Sequence, residues 1–394
     1  MGKNFAILNT VQFIDALVEN LFKYIVIYFL IYYKGHENSS NIMATTGAVF
    51  ITPFILFSSV GGFFADRWSK SKIVQITRII SILFLSSALM FVIFHEGNLI
   101  YLILFMVASV AAIFGPSKYG IVPELVPKAK LVSANGYLAA FTFFGIIAGT
   151  GLASWLDAIT GENFTWMVLA CMALAFCGAL LSFTLSSTEA SAPHKAWPPF
   201  IYKEIFDGLR EMASIPQMWT AVFAYGYFVF VGGFVQMNVI PYTVETLHLE
   251  PIVGGYLFLV SSIGVGIGSM IAPKLTGTLK SIPWTGAGMS IGCFLFTLFS
   301  HPYWLNLIWL VLLGVIGGLF LVPSQAYIMA HSQPESKGRN FGTAGFFSYV
   351  FALLAAGVLY VFNTLIGLTP AVSFTWIGIV NLGVSVVLYF LIKR

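Results

Sequence analysis

FGPSKYGIVPELVPKAKLVSANG, residues 114 to 136, reads like FLVPSQAYIMAHSQPESKGRNFG, residues 320 to 342. Pro116-Ser117 aligns with Pro323-Ser324, and Asn135-Gly136 falls close to the register of Asn340 and Gly342. A repeat across so long a separation points to two related halves, each carrying the same helix–loop–helix corner.

The sequence around the repeat sets the class. With 58% hydrophobic residues, 9% charged residues and a mean hydropathy of +0.90, the chain is a polytopic membrane protein. Apolar runs of about 20 residues fall at roughly 6–33, 44–65, 73–94, 99–116, 136–157, 164–185, 217–243, 252–273, 283–300, 304–325, 341–363 and 370–392. The fold class expected is therefore an all-α membrane protein of twelve transmembrane helices, with a six-helix bundle at 1–185, a cytoplasmic linker at 186–213 and a second six-helix bundle at 214–394. The linker sequence SSTEASAPHKAWPPF, rich in Pro and small polar residues, reads as a solvated tether. The part from Phe200 to Met212 has the pattern of a short amphipathic surface helix. No cleavable signal peptide is expected, because the first span carries charged residues and no small-residue cleavage site follows it.

If both ends lie on one side, every Lys and Arg except Lys34 and the intramembrane Lys23 falls on that side. The positive-inside rule places both termini in the cytoplasm. The net charge of +4 reflects this loop bias, which an anionic inner leaflet favours, and does not call for nucleic acid. Cys171, Cys177 and Cys293 fall inside spans as packing residues, and the six histidines show no metal-ligand spacing. There is no GxSxG, P-loop or HExxH sequence, so the machinery of an ATP-driven pump or an intramembrane hydrolase is lacking.

Within the first span Asp15, Glu19 and Lys23 stand four residues apart, with Gln12 in the same stripe. At about 100° per residue the three charges share about 80° of one helix face. Each costs about 2.5–3.5 kcal/mol at the bilayer centre, so the stripe implies a water-filled or protein-lined cavity. Glu19 and Lys23 can neutralise each other as an i,i+4 pair. Asp15 or Glu19 can instead carry a coupling proton. Gln236 and Asn238 are the polar residues of the seventh span.

The turn after the second span reads Gly61-Gly62-Phe63-Phe64-Ala65-Asp66-Arg67-Trp68-Ser69-Lys70-Ser71-Lys72. It resembles the GxLaDRxGRK signature of the major facilitator superfamily, whose plan is two six-span halves with substrate near the midplane. The resemblance implies a gate of Gly62, Asp66, Arg67 and Lys70, in which glycines let spans two and eleven approach and Asp66 caps a helix end.

A narrower likeness covers most of the chain. Asn9-Thr10-Val11-Gln12-Phe13-Ile14 with Glu19-Asn20-Leu21-Phe22-Lys23 is similar to the opening of the bacterial lysophospholipid transporter family. Phe114-Gly115-Pro116-Ser117-Lys118-Tyr119-Gly120-Ile121, Glu124-Leu125 and Leu131-Val132 with Ala134-Asn135-Gly136 resemble its central block. That family implies an alternating-access flippase moving lysophospholipids such as lysophosphatidylethanolamine from the outer to the inner leaflet of the bacterial cytoplasmic membrane. It further implies no cofactor, a proton or sodium ion as coupling ion, a monomer among membrane lipids, and a separate acyltransferase as user of the product. Asp15, Glu19, Asn20, Lys23, Lys118, Tyr119, Gln236 and Asn238 are the substrate-binding candidates, with Glu19 meeting the amine and Lys23 the phosphate. Glu124 joins the gate as a partner for Lys118. The sequence departs from the family at Glu19, where Asp is usual, at Asp15, where a small residue is usual, and in lacking an Arg in span seven. The alternative reading is a proton-coupled carrier of a soluble amphipathic molecule.

Overall fold

The computed structural model describes residues 2–35, 39–94, 99–161, 163–197, 203–249, 251–298 and 303–393. The first residue of the expected surface helix, Phe200, and the loop histidines His36, His95 and His301 lie outside the described residues. The helices are α1 (Lys3–Lys34), α2 (Ser39–Arg67), α3 (Lys70–Ile93), α4 (Leu99–Leu125), α5 (Leu131–Thr160) and α6 (Phe164–Ser182). After the linker come α7 (Lys203–Ser214), α8 (Met218–Pro241), α9 (Pro251–Leu275), α10 (Ile282–Leu298), α11 (Tyr303–His331), α12 (Lys337–Tyr360) and α13 (Pro370–Lys393).

Among the described residues, eleven helices are long and apolar enough to cross a membrane. The 32-residue α1, about 48 Å at 1.5 Å per residue, supplies the twelfth despite its charges. Helices satisfy their own backbone groups, which is why hydrocarbon selects them. Helix α4 continues through Pro116 and Pro123 as far as Leu125, so Lys118 and Tyr119 stand on a helix and not in a loop. Both copies of the repeat take one shape: a long helix with an internal proline, a 3-10 turn (Lys128–Lys130 or Pro334–Ser336), and the next helix.

The chain packs as two compact units. The first comprises Met1–Pro127, Phe144–Arg210 and Ser332–Phe346, so the start of α12 is part of it. Its core forms where Leu17, Leu21, Phe22, Ile25 and Phe29 of α1 meet Leu104, Val107, Val168 and Cys171. The second comprises Lys128–Phe143, Glu211–His331 and Phe347–Arg394. There α9 and α11 meet through Gly264 and Gly268 on one helix and Gly314 and Gly318 on the other, where a Cβ would strike the facing backbone. Small residues four apart on both helices allow backbone-to-backbone packing, the strongest source of association once lipid replaces water. Tyr242 anchors the aromatic part of this unit, its hydroxyl donating to Phe296 O at 2.9 Å and contacting Asn306 Oδ1 at 3.1 Å.

The linker differs from the tether expected of its composition. Thr188, Ser191, Ala192 and Lys195 are hydrogen-bonded to the α2–α3 turn within the first unit. Small polar residues lack the apolar surface that announces packing, but their backbone and hydroxyl groups bind a turn full of open donors and acceptors.

Candidate functional site

The stripe on α1 does not act as one group, because each charge meets a different neighbouring helix. A drift of about 40° per four residues is enough to fan the side chains apart. Asp15 is buried and paired with Arg78 Nη1 of α3, in a small recess lined by Val11, Ile14, Val18, Ser81, Ala175 and Gly178. The Arg78 guanidinium lies 4.4 Å from the centroid of the Phe114 ring. The positive-inside assignment groups Arg78 with the charges of the loop side, yet it stands eight residues into α3 from Lys70, about 12 Å along the helix. Asp15 thus has a structural ion partner, and its place among the substrate contacts gives way to that pair.

Buried pairs are sensitive to loss of one member. We expect Asp15→Leu or Arg78→Met alone to destabilise the protein by about 3–5 kcal/mol, and the double replacement to cost clearly less than the sum. Thermal unfolding of the three variants in detergent checks this.

Glu19 and Lys23 form the second group. Both are half-buried, and Glu19 lies in the electrostatic field of Lys118 first and Lys23 second. Lys23 Nζ donates to Asn20 Oδ1 at 3.2 Å, and the Asn20 amide donates to Ala16 O at 2.8 Å. The ammonium also sits 5.1 Å from the Tyr24 ring centroid and 5.2 Å from that of Phe50 on α2. Lys118 lies over Phe114 and Tyr119 at 5.8 and 4.9 Å. The structure thereby assembles one carboxylate, two ammonium groups, an amide and four aromatic faces. Two cations against one anion leave a surplus positive charge beside a carboxylate, which suits a ligand bearing both a phosphate and an amine. Aromatic faces hold the ammonium groups without neutralising them.

Tyr119 also reaches α12. Its ring stacks on Phe341 at the start of α12, with centroids 5.0 Å apart and planes 10° apart. Glu124 does not pair with Lys118; it binds the fully buried Lys70 at 2.8 Å. In the second unit Gln236 is exposed, whereas Asn238 is buried with both ends of its amide in use. Its nitrogen donates to Pro370 O at 2.9 Å and its oxygen accepts from Asn363 Nδ2 at 3.2 Å, which makes it a packing residue of α8 and α13. Asn135 donates to Val322 O and Gln325 Oε1 of α11 at 3.2 and 3.1 Å.

At the α2–α3 turn, Asp66 is fully buried and holds the first turn of α12. Its Oδ1 accepts from Gly338 N–H at 2.7 Å and its Oδ2 from Arg339 N–H at 3.1 Å. A carboxylate on open N–H groups at a helix start satisfies both the donors and the helix dipole. Close approach requires glycine: a Cβ on Gly62 would lie 2.6 Å from Gly338 O, and one on Gly338 2.6 Å from Gly62 O.

The superfamily model "Major Facilitator Superfamily" matches residues 8–356 and 231–394. The chain belongs to the major facilitator superfamily. It is 27% identical over 307 residues to the lysophospholipid transporter LplT of Escherichia coli (strain SMS-3-5), covering 74% of this chain and 72% of the relative. The same identity and coverage hold for LplT of Shigella dysenteriae serotype 1. Among solved structures, the E. coli fucose:proton symporter FucP matches with a TM-score of 0.76 at 14% identity, over 98% of this chain and 97% of that one. The human organic anion transporter MFSD10 matches with a TM-score of 0.75 at 14% identity, over 99% and 100%. The superfamily fold and transporter class expected from the repeat and the Gly-Gly-x-x-x-Asp-Arg turn are thus established, and the chain is a multi-pass membrane transporter.

Proposed function

We propose that this transporter carries lysophospholipids, with the headgroup bound by Glu19, Lys23 and Lys118. The observation that carries the reading is the grouping of one carboxylate with two ammonium groups on α1 and α4 of a superfamily member. In a zwitterionic headgroup the ammonium pairs with Glu19 while the phosphate bridges Lys23 and Lys118. Likeness to LplT over 74% of the chain supports the substrate class. Charge-assisted bonds of this kind are about twice as strong as neutral ones, and the water-poor surroundings strengthen them further.

Movement runs from the outer to the inner leaflet in this reading, with alternating access governed by the Asp66–α12 contact. The loop charge bias supports an orientation in the bacterial inner membrane with the α2–α3 turn and both termini cytoplasmic. A separate acyltransferase is the class of enzyme that consumes the delivered lysolipid. The test is leaflet transfer of fluorescent lysophosphatidylethanolamine in proteoliposomes. Protein-dependent transfer is expected, and its absence under every imposed gradient would overturn the assignment.

A further inference from the structure

The linker before α7 carries Lys195, whose ammonium contacts two carboxylates at once: Asp66 Oδ2 at 3.1 Å and Glu204 Oε2 at 2.6 Å. Asp66 is the residue that holds the start of α12, and Glu204 is in the first turn of α7. The side chains of Asp66, Glu204 and Lys195 are 0%, 6% and 14% exposed, so the three charges meet almost out of solvent. The surrounding backbone fixes this meeting point. Arg67 Nη1 donates to Lys195 O, Ala192 N–H donates to Asp66 O at 2.8 Å, and Lys70 bonds Ser191 Oγ. Trp197 packs on Phe63, with centroids 4.9 Å apart. Helix α7 in turn lies on α12, where Gly208 leaves no room for a Cβ beside Thr343.

We propose that Lys195 is a positioning residue of the transport cycle: it divides its charge between Asp66 and Glu204, and this division sets how firmly α2 holds α12. Two carboxylates compete for one cation. Contact with Asp66 keeps that carboxylate aimed at the Gly338 and Arg339 N–H donors, whereas contact with Glu204 draws the ammonium toward α7. The linker is then a setting on the gate and not a passive connection. Lys195→Ala leaves two buried carboxylates without a counter-ion, which weakens the hold on α12. Glu204→Gln leaves the whole charge to Asp66, which strengthens it. The two substitutions must act in opposite directions, and a merely structural linker would not produce that.

The test uses the full chain in nanodiscs with Thr343→Cys as reporter in a Cys177→Ser background, Thr343 being buried on α12 against α7. Labelling by a hydrophilic maleimide reads how often α12 leaves its contacts. Lys195→Ala should speed labelling several-fold, Lys195→Arg should restore the original rate, and Glu204→Gln should slow it. Unchanged labelling in Lys195→Ala, or acceleration in both Lys195→Ala and Glu204→Gln, would overturn the proposal. If Lys195→Ala fails to accumulate, Glu204→Gln carries the test alone: slowed labelling supports the proposal and any other result overturns it. The readout contains no lipid substrate, so its failure is separate from failure of the lysophospholipid assignment.

Discussion

Replacing Glu19 by Gln should reduce lysophospholipid transport to near the protein-free rate while leaving the protein folded. The substitution keeps shape and hydrogen-bonding length but removes the only carboxylate among Glu19, Lys23 and Lys118. Two ammonium groups would then face a headgroup ammonium with no anion to receive it. Losing one member of a desolvated charged contact is worth about 2–5 kcal/mol. Taking about 2–3 kcal/mol as the share felt by the headgroup, productive capture falls roughly 30- to 150-fold. Stability should change far less than for Asp15→Leu, because the group is half-buried and is poised for a ligand, whereas Asp15 is closed off with Arg78. Transport assay and thermal unfolding of the same preparation separate these effects. Wild-type rates in Glu19→Gln would remove the headgroup site from α1.

Replacing Gly338 by Leu should stop the cycle by a different route. The variant keeps the N–H that Asp66 binds, so nothing is lost electrostatically. A Cβ there would stand 2.6 Å from the Ala65 Cβ, 2.6 Å from Gly62 O and 2.7 Å from Asp66 Oδ1, all of them backbone-fixed or buried neighbours. Overpacking of a tight contact costs about 1–3 kcal/mol, which applied to one end of a two-state cycle shifts its populations by roughly 5- to 150-fold. The expected result is a fall in transport of roughly fivefold or more with fast labelling of Thr343→Cys. Normal transport with the reporter still protected would show that α2 and α12 do not have to meet at Gly338 during transport.

The large features of the fold were readable because membrane burial leaves a long, one-dimensional signal. Twelve spans and the repeated corner follow from hydropathy and internal likeness, and the Gly-rich approach of α2 to α12 from the likeness of the turn to the superfamily signature. Side-chain partners were harder. Asp15, Glu19 and Lys23 share a stripe by arithmetic, but which neighbour each meets depends on tilt and on residues distant in sequence. Arg78 carried a legible warning: eight residues into an apolar helix is too deep for a loop charge. Asn238 and Tyr119 are polar groups whose packing contacts, one on α13 and one on α12, no local pattern announces. Lys195 and Glu204 were invisible as a site because neither forms a motif and their meeting with Asp66 spans more than a hundred residues.

The most direct measurement of the central claim is leaflet transfer by the purified chain. Fluorescent lysophosphatidylethanolamine is added outside proteoliposomes, and transfer is read as protection from a membrane-impermeant quencher. Wild-type vesicles should gain protected lipid well above the spontaneous rate, and Glu19→Gln vesicles should match protein-free ones. Wild-type transfer no faster than in protein-free vesicles, with a proton gradient, a sodium gradient or neither, would contradict it.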